Sequence, residues 1–222
     1  PLIITTGQQD SRLLLHDPHL TGDIVGIGKR YAKWGCELVH AEDIAAIVRR
    51  AFKMSVQYPT GATVVSCPQD VMQREFDYEP MEPAQVFTRV RPDTRAVEAT
   101  LAVLKDAKNP VILVEGGVTR CNAHAEAVKF AELIGAPVYA TWISDVDLPM
   151  DHDLYMGDAD PMVPAPGMQA ICKDVDVIIA LGYPLFSHGV HFHGSAVAPG
   201  TKFIKLDENP WEIDKGTTLA AG

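Results

Sequence analysis

PVILVEGGVTRCNAHAEAVKFAELIGAPVYATW, residues 110–142, predicts a strand, a helix and a second strand in direct succession. The first strand is apolar throughout and runs into two glycines. Apolar residues then recur at helical spacing as far as Gly135, a residue type that commonly ends helices. The second apolar strand follows at once, so this segment indicates a parallel βαβ unit whose sheet is covered on both faces.

The same alternation continues in both directions from this segment. Downstream, VDVIIALG (residues 175–182) and TKFIKLD (residues 201–207) predict two further strands. Upstream, Asp93 or Thr94 is a suitable N-cap for a helix through AVEATLAVLKDAK. Nearer the N-terminus, the predicted strands PLIITT and GATVVSC flank the predicted helix AEDIAAIVRRAFKMSVQ, with a possible strand in YAKWGCEL. The sequence therefore predicts an α/β fold with two doubly wound parallel-sheet units.

Residues 71–93 interrupt this alternation. They contain three prolines, many charges and no sustained periodicity, which is typical of a linker. We therefore expect a first unit over residues 1–70, a linker over residues 71–93 and a second unit over residues 94–222.

The composition, 222 residues with 47% hydrophobic residues and a formal net charge of −10, is that of an ordinary globular protein. The basic residues are scattered, which argues against nucleic acid binding. No apolar run approaches the ~20 residues of a membrane span and no signal peptide is recognisable, so we expect a cytoplasmic protein. The four cysteines lie far apart without a CxxC motif, which favours reduced thiols in or near the core.

EGGVTRCNA, residues 115–123, follows a predicted strand and opens a helix. Free N–H groups at such a position attract anions, so Gly116 and Gly117 could contact the phosphate of a nucleotide. The turn matches neither GxGxxG nor a Walker loop, and adjacent glycines also suit a tight turn between strand and helix. Both interpretations stay open on the residues alone.

LFSHGVHFHG, residues 185–194, places His188, His191 and His193 directly after an apolar strand. In an extended segment His191 and His193 would point to the same side. Two imidazoles are fewer ligands than zinc requires. The alternatives are a solvated loop and the wall of a binding pocket. The aspartates between residues 145 and 160 lack the EF-hand order, and we interpret them as a solvated acidic connection.

Taken together, these segments resemble thiamine diphosphate-dependent 2-oxo acid decarboxylases and synthases. The likeness rests on PLIITTGQQD and GATVVSCPQDV in the first unit and on AKNPVILVEGGV, DLPMDHDLYMGD and PGTKFIKLDENPWEI in the second. Within the family, the sequence is most similar to benzoylformate decarboxylases, through the GQQ loop with Arg12 soon after it and through the P-x-F of residues 184–186. Acetolactate synthase large subunits come next.

The resemblance implies that residues 1–70 are the C-terminal part of a pyrimidine-binding domain. Residues 94–222 are then a Rossmann-like central domain, truncated at its C-terminal end. The activating glutamate of the family lies upstream of this sequence, and its diphosphate and Mg²⁺ motif lies downstream. We therefore expect an interior portion of a longer chain, not competent alone, whose partners are the missing upstream and downstream segments. Members of the family are commonly homodimers or homotetramers.

The resemblance also implies an activity, the thiamine diphosphate- and Mg²⁺-dependent decarboxylation of a 2-oxo acid. An acetolactate synthase-like carboligase is the alternative within the family. Outside catalysis, the alternatives are a module that binds FAD or ADP and a module for subunit assembly. FAD is not expected, because the EGGV turn lacks the fuller glycine set of flavin-containing relatives.

Site residues follow from the same resemblance. Catalytic roles are expected for His188 and for His19, which stands where benzoylformate decarboxylases have a leucine. Substrate contacts are expected from residues of two loops, namely Gln8, Gln9, His16, Leu20 and His191. Gly116 and Gly117 bind a cofactor only if a nucleotide is bound. A histidine at position 19 indicates a more polar substrate or an added acid–base group.

Overall fold

The computed structural model describes residues 1–80, 82, 90–141, 145–159, 166–185 and 197–222. The chain forms two compact units, Pro1–Thr88 and Arg89–Gly222. Each unit contains one parallel sheet with helices against it, which confirms the predicted α/β class. Among the described residues, no helix is both long enough and apolar enough to cross a membrane.

The first unit is built on a three-stranded parallel sheet in the order β1-β3-β2. Its strands are β1 (Leu2–Gln8), β2 (Trp34–Glu37) and β3 (Ala62–Pro68). Its helices are α1 (Ile24–Lys29), α2 (Ile44–Val56) and the single turn α3 (Gln69–Met72). Because β3 pairs with both other strands, β1 forms one edge of the described sheet.

The helices α1 and α2 lie on opposite faces of this sheet. The hydroxyl of Thr63 in β3 donates to the carbonyl oxygen of Ala51 in α2 at 3.4 Å. The next residue, Val64, faces α1 so closely that a Cβ added to Gly28 would lie 2.9 Å from its side chain. Successive strand residues point to opposite faces, so the two helices enclose β3 between them.

The second unit has a five-stranded parallel sheet in the order β6-β5-β4-β7-β8. Its strands are β4 (Pro110–Val114), β5 (Val138–Ala140), β6 (Tyr155–Asp158), β7 (Val177–Leu181) and β8 (Lys202–Leu206). Its helices are α4 (Thr94–Lys105), α5 (Gly117–Arg120), α6 (His124–Ile134) and α7 (Pro166–Cys172). The chain enters at the central strand β4 and reverses direction across the sheet between β4 and β7, as in doubly wound folds.

Local chemistry sets the limits of the helices in this unit. Asp93 is the N-cap of α4, and its carboxylate accepts a hydrogen bond from the backbone N–H of Arg95 at 2.8 Å. Gly135 ends α6 with a φ of 62°, a left-handed conformation that glycine adopts without steric cost. Both features agree with the sequence patterns that predicted these helices.

The sheet of the second unit is buried on both faces. Ile112 and Val114 of β4 pack into a cluster with α6, whereas Val111 and Leu113 pack into a cluster with α7 on the other face. All four side chains are at most 1% exposed. Burial on both faces of the sheet therefore explains why β4 is apolar throughout.

Two expectations about local environment are wrong. The acidic connection is not solvated throughout, because Asp147 is only 1% exposed and Tyr155–Asp158 form the edge strand β6, paired with β5. Cys121 is exposed because it lies at the end of the one-turn helix α5. Cys172 is buried, and none of the four cysteines, all of which the structure describes, forms a disulfide bond.

Candidate functional site

The carboxyl end of the first sheet carries a long loop that folds back toward its own origin. We call the segment from Gln8 to Gly22 the Q loop. Gln8 is the last residue of β1 and is only 8% exposed. Ligands of parallel sheets bind beyond the carboxyl ends of the strands, so the Q loop lies where a site is expected.

Two glutamine side chains close the Q loop. Nε2 of Gln8 donates to the carbonyl oxygen of Gly22 at 2.8 Å, and Nε2 of Gln9 donates to the carbonyl oxygen of His19 at 2.8 Å. Oε1 of Gln8 accepts from the hydroxyl of Thr21 at 3.1 Å and from the backbone N–H of Gln9 at 3.0 Å. The result is an Ω-loop whose neck is held by side chains.

Residues 16–20, which we call the tip of the Q loop, are largely exposed to solvent. His16 and His19 are exposed, and Leu20 is 75% exposed. Leu20 also has a φ of 65°, in the left-handed region that bulky residues seldom adopt. The loop therefore presents two imidazoles and one apolar side chain to solvent at the end of the sheet where a ligand is expected.

A second set of contacts fixes the base of the loop. Ser11 donates to the carboxylate of Asp70 through its backbone N–H at 2.9 Å and through its hydroxyl at 2.6 Å. The side-chain hydrogen bond from Arg12 lowers the pKa of Asp10 to about 2. The hydrogen bonds from Ser11 likewise lower the pKa of Asp70 below its ordinary value. Both carboxylates are therefore charged at neutral pH, where these contacts persist.

A cavity of about 590 Å³ lies beside the base of the loop. Its wall includes the polar side chains of Gln8, Thr21, Asp23, Lys29 and Glu37. The carboxylate of Glu37 accepts a hydrogen bond from the hydroxyl of Ser66 at 3.0 Å. The volume falls within the roughly 300–1,000 Å³ of small-molecule sites.

In the second unit, the turn after β4 is filled by the chain itself. A Cβ added to Gly117 would lie 2.6 Å from Cα of Gly182, which follows β7. A Cβ added to Gly116 would lie 2.9 Å from a guanidinium nitrogen of Arg120. Gly117 and Gly182 therefore allow close approach of backbone at the point where the sheet reverses direction, and Gly116 leaves room for the guanidinium of Arg120.

The groups around this turn are mainly acidic, and several of them are paired, whereas Oε2 of Glu115 is buried without a hydrogen-bond partner among the described residues. The carboxylate of Asp147 accepts hydrogen bonds from the backbone N–H of Thr119 at 3.0 Å and from its hydroxyl at 2.8 Å. Nε of Arg120 lies 3.5 Å from a carboxylate oxygen of Glu208. Burial raises the pKa of Glu115, and the nearby carboxylate of Asp147 adds to the increase.

A buried ion pair lies at the end of β8. The side chain of Lys205 is 2% exposed, and its Nζ lies 3.4 Å from a carboxylate oxygen of Glu212 and 3.8 Å from one of Asp207. The sequence pattern predicts the strand but does not indicate which carboxylates pair with Lys205. The contacts tie the turn Pro210–Glu212 to the sheet.

The structure brings only some of the predicted site residues together. The first group lies in the Q loop and consists of Gln8, Gln9, His16, His19 and Leu20. Gly116 and Gly117 lie in the second unit. The histidines at 188, 191 and 193 lie outside the described residues. In the part of the chain that the structure describes, no three histidine, cysteine or acidic side chains are grouped as metal ligands.

Sequence reasoning missed the partners of the two glutamines. Thr21 and Gly22 lie 13 and 14 residues from Gln8 along the chain. The GQQ motif predicts available amide donors, but no residue spacing predicts which backbone oxygens they reach.

Comparisons with known proteins give consistent findings. Residues 97–221 match the family model described as the central domain of thiamine pyrophosphate enzymes. The acetolactate synthase large subunit of Corynebacterium glutamicum is 32% identical over 97% of this chain and 34% of its own length. The acetolactate synthase of Mycobacterium leprae is 30% identical over 97% of this chain and 35% of its own length.

The structural comparison covers both units. The crystal structure of benzoylformate decarboxylase from Polynucleobacter necessarius aligns with 100% of this chain and 41% of its own chain, with a TM-score of 0.86 and 26% identity. The chain thus spans about a third of the length of the curated relatives it matches.

Proposed function

Because this chain belongs to the thiamine pyrophosphate enzyme family through its residues 97–221, we propose that it is an interior portion of an enzyme that decarboxylates a 2-oxo acid, in the manner of benzoylformate decarboxylase. The observation that carries the proposal is the Q loop. It is held at the carboxyl end of β1 and presents His16, His19 and Leu20 to solvent. These residues form the part of the substrate site that this chain supplies.

The exposed side chains suit such a substrate. When a 2-oxo acid loses CO₂ to give an aldehyde, one proton takes the place of the carboxylate. An imidazole can act as a general acid and deliver that proton, which is the role we assign to His19. Leu20 offers apolar contact to the substituent of the substrate, and His16 offers a further polar contact.

Thiamine diphosphate, when bound, supplies the electron sink that allows a 2-oxo acid to lose CO₂. The described residues of this chain do not fit the group, because they contain no cluster of metal ligands and the glycine turn is filled by Arg120 and by Gly182. We therefore assign the binding of the diphosphate and Mg²⁺ to polypeptide beyond these 222 residues. This chain contributes substrate contacts and proton transfer.

For the turn after β4 we propose a structural role in place of nucleotide binding. The contact between Gly117 and Gly182 occupies the reversal point of the sheet. The carboxylates of Glu115 and Asp147 stand beside it and would repel a phosphate. In this proposal Gly116 and Gly117 serve close packing, and the turn is not a site for FAD.

A carboligase of the acetolactate synthase type is the second candidate. The identities of 32% and 30% to acetolactate synthases favour it. In such an enzyme a second carbonyl compound, and not a proton, takes the place of the lost carboxylate. His188 and His191 are proposed as a further catalytic residue and a further substrate contact in either case.

The experiment is an assay of the complete enzyme with thiamine diphosphate, Mg²⁺ and a panel of 2-oxo acids. CO₂ release and product identity are measured together. An aldehyde as the main product supports the decarboxylase, and a hydroxy-oxo acid with a new carbon–carbon bond supports the carboligase. No CO₂ from any 2-oxo acid overturns both candidates.

A further inference from the structure

We infer that Gln8 and Gln9 are positioning residues that hold Leu20 in its left-handed conformation and thereby fix the substrate-facing tip of the Q loop. The expected effect on substrate selectivity rests on the proposed function, whereas the hold on Leu20 is argued from contacts within the first unit alone. It assigns the two amides a role different from direct substrate contact.

The first observation is the backbone of the tip. Leu20 has a φ of 65°, and its side chain is 75% exposed, so burial of that side chain does not stabilise this conformation. Left-handed backbone in a bulky residue is strained and persists only where the surroundings impose it. Some other contact must therefore hold the tip.

The second observation is the placement of the two amides on either side of Leu20. On its N-terminal side, Gln9 Nε2 donates to the carbonyl oxygen of His19 at 2.8 Å. On its C-terminal side, Gln8 accepts from the hydroxyl of Thr21 at 3.1 Å and donates to the carbonyl oxygen of Gly22 at 2.8 Å. The strained residue is thus bracketed by contacts to both of its neighbours.

The third observation is that the two amides act as one unit with a fixed base. The backbone N–H of Gln9 donates to Oε1 of Gln8 at 3.0 Å. Gln8 itself ends β1 in register with Pro68 of β3 and is 8% exposed. The sheet therefore fixes the position of Gln8, and the hydrogen bonds of Gln8 and Gln9 fix the tip of the loop relative to the sheet.

This arrangement determines which side chains a substrate meets. With Nε2 of each glutamine already donating to a backbone oxygen, the amides shape the site through the loop they hold. Release of the tip would let Leu20 return to right-handed backbone and change the direction of its side chain and that of His19. The two glutamines are therefore expected to control substrate selectivity without touching substrate.

The test uses Gln9→Glu, which removes the donor to His19 and keeps the length of the side chain. Gln9 is only partly buried, so the variant is expected to fold. Gln73→Glu, the same change at an exposed position after α3, is the matched control. Hydrogen exchange of the amides of residues 20–22 is measured in the complete enzyme, where the backbone N–H of Thr21 donates to the carbonyl oxygen of Pro18.

Gln9→Glu is expected to raise exchange of these amides by about fivefold or more, the change that follows from the loss of one hydrogen bond, whereas Gln73→Glu leaves it unchanged. In a Leu20→Gly background, where the left-handed conformation carries no strain, the effect of Gln9→Glu should shrink. Equal exchange in Gln9→Glu and wild type, or an equal effect in both backgrounds, overturns the inference.

Substrate selectivity is measured as well, because it would not change if Gln9 only stabilised the fold. Gln9→Glu is expected to change the ratio of kcat/KM between an aryl 2-oxo acid and pyruvate by about fivefold, with unchanged affinity for thiamine diphosphate. An unchanged ratio together with unchanged exchange sinks the inference while the proposed function stands. Raised exchange in an enzyme that releases no CO₂ from 2-oxo acids sinks the proposed function while the positioning role stands.

Discussion

The two sheets of this molecule differ in how completely their apolar strands are covered. In the second unit, Ile112 and Leu113 of the central strand are at most 1% exposed. In the first unit, Leu2 and Ile4 of β1 are 58% and 39% exposed, and β1 is an edge of the described sheet. Parallel sheets are ordinarily buried on both faces. The second unit therefore has a closed core, whereas the first keeps a strand that further polypeptide can cover.

This difference separates stability from chemistry. The closed unit contains the two larger apolar clusters and the buried ion pair of Lys205, whereas the first unit contains a smaller cluster around Leu38. The open unit contains the Q loop with its exposed histidines. Substitutions in the buried core of the second unit should therefore act on the free energy of unfolding, and substitutions in the loop should act on turnover.

The largest expected effect contrasts two isoleucines in strands. Ile112→Ala leaves a cavity in a closed core and is expected to lower the free energy of unfolding of the second unit by about 4 kcal/mol. Ile4→Ala at the open strand should cost the first unit less than about 1.5 kcal/mol, because part of that side chain already meets water. Hydrogen exchange of amides in β4 and in β3 measures the two values. Equal losses would remove the distinction between a closed and an open sheet.

The next effect concerns the buried cation. Lys205→Met leaves the carboxylates of Asp207 and Glu212 without their buried partner, and we expect a loss of roughly 3 kcal/mol. Lys202→Met, at an exposed position in the same strand, is the control and should change stability by less than about 0.5 kcal/mol. Urea denaturation measures both. A tolerated Lys205→Met would show that the ion pair is not needed to hold the end of β8.

A smaller effect tests the reversal point of the sheet. Gly117→Ala places a methyl group 2.6 Å from Cα of Gly182, so backbone must move, and we expect a loss of about 2 kcal/mol. Gly216→Ala, where an added Cβ meets nothing within 4 Å, is the control. Thermal unfolding compares the two. Unchanged thermal stability in Gly117→Ala would show that space exists between Gly117 and Gly182. Nucleotide binding at this turn would then again be a candidate function.

The smallest effect is a pH dependence. Burial raises the pKa of Glu115 above its unfolded value, so its contribution to stability is fully present below about pH 4.3 and is lost as the pH rises through the folded pKa. Glu115→Gln should therefore be the more stable protein at neutral pH, by less than about 1 kcal/mol, and should lose that advantage in acid. Glu98→Gln, an exposed change in α4, controls for net charge. A stability difference between Glu115→Gln and wild type that does not vary with pH would contradict a raised pKa for Glu115.

The sequence predicted those elements whose signal is local. The strands β4 and β7 are apolar runs, β8 has an apolar centre, and the helix that ends at Gly135 has both the spacing and the stop residue. The strand β6 escaped prediction because Tyr155–Asp158 is short and polar and contains a glycine with a φ of 98°, so only pairing with β5 defines it.

The helix α1 and the neck of the Q loop show the same limit. α1 contains two glycines, which disfavour a helix, yet Asp23 caps it with a hydrogen bond to the backbone N–H of Gly26 at 2.7 Å. In the Q loop, the residue types at positions 8 and 9 indicated hydrogen-bond donors, but their partners are backbone oxygens of residues distant in sequence. Contacts that depend on tertiary folding leave no periodic trace.

The most direct test of the division between a stable unit and a reactive loop compares two histidines in the complete enzyme. His19→Ala is expected to lower kcat for a 2-oxo acid by about a hundredfold, with unchanged thermal stability and unchanged affinity for thiamine diphosphate. His124→Ala removes an imidazole that lies 3.0 Å from the carbonyl oxygen of Val146 and 3.1 Å from the hydroxyl of Thr119, so it should lower stability and leave kcat of the folded enzyme intact. An unchanged kcat in His19→Ala would contradict the account.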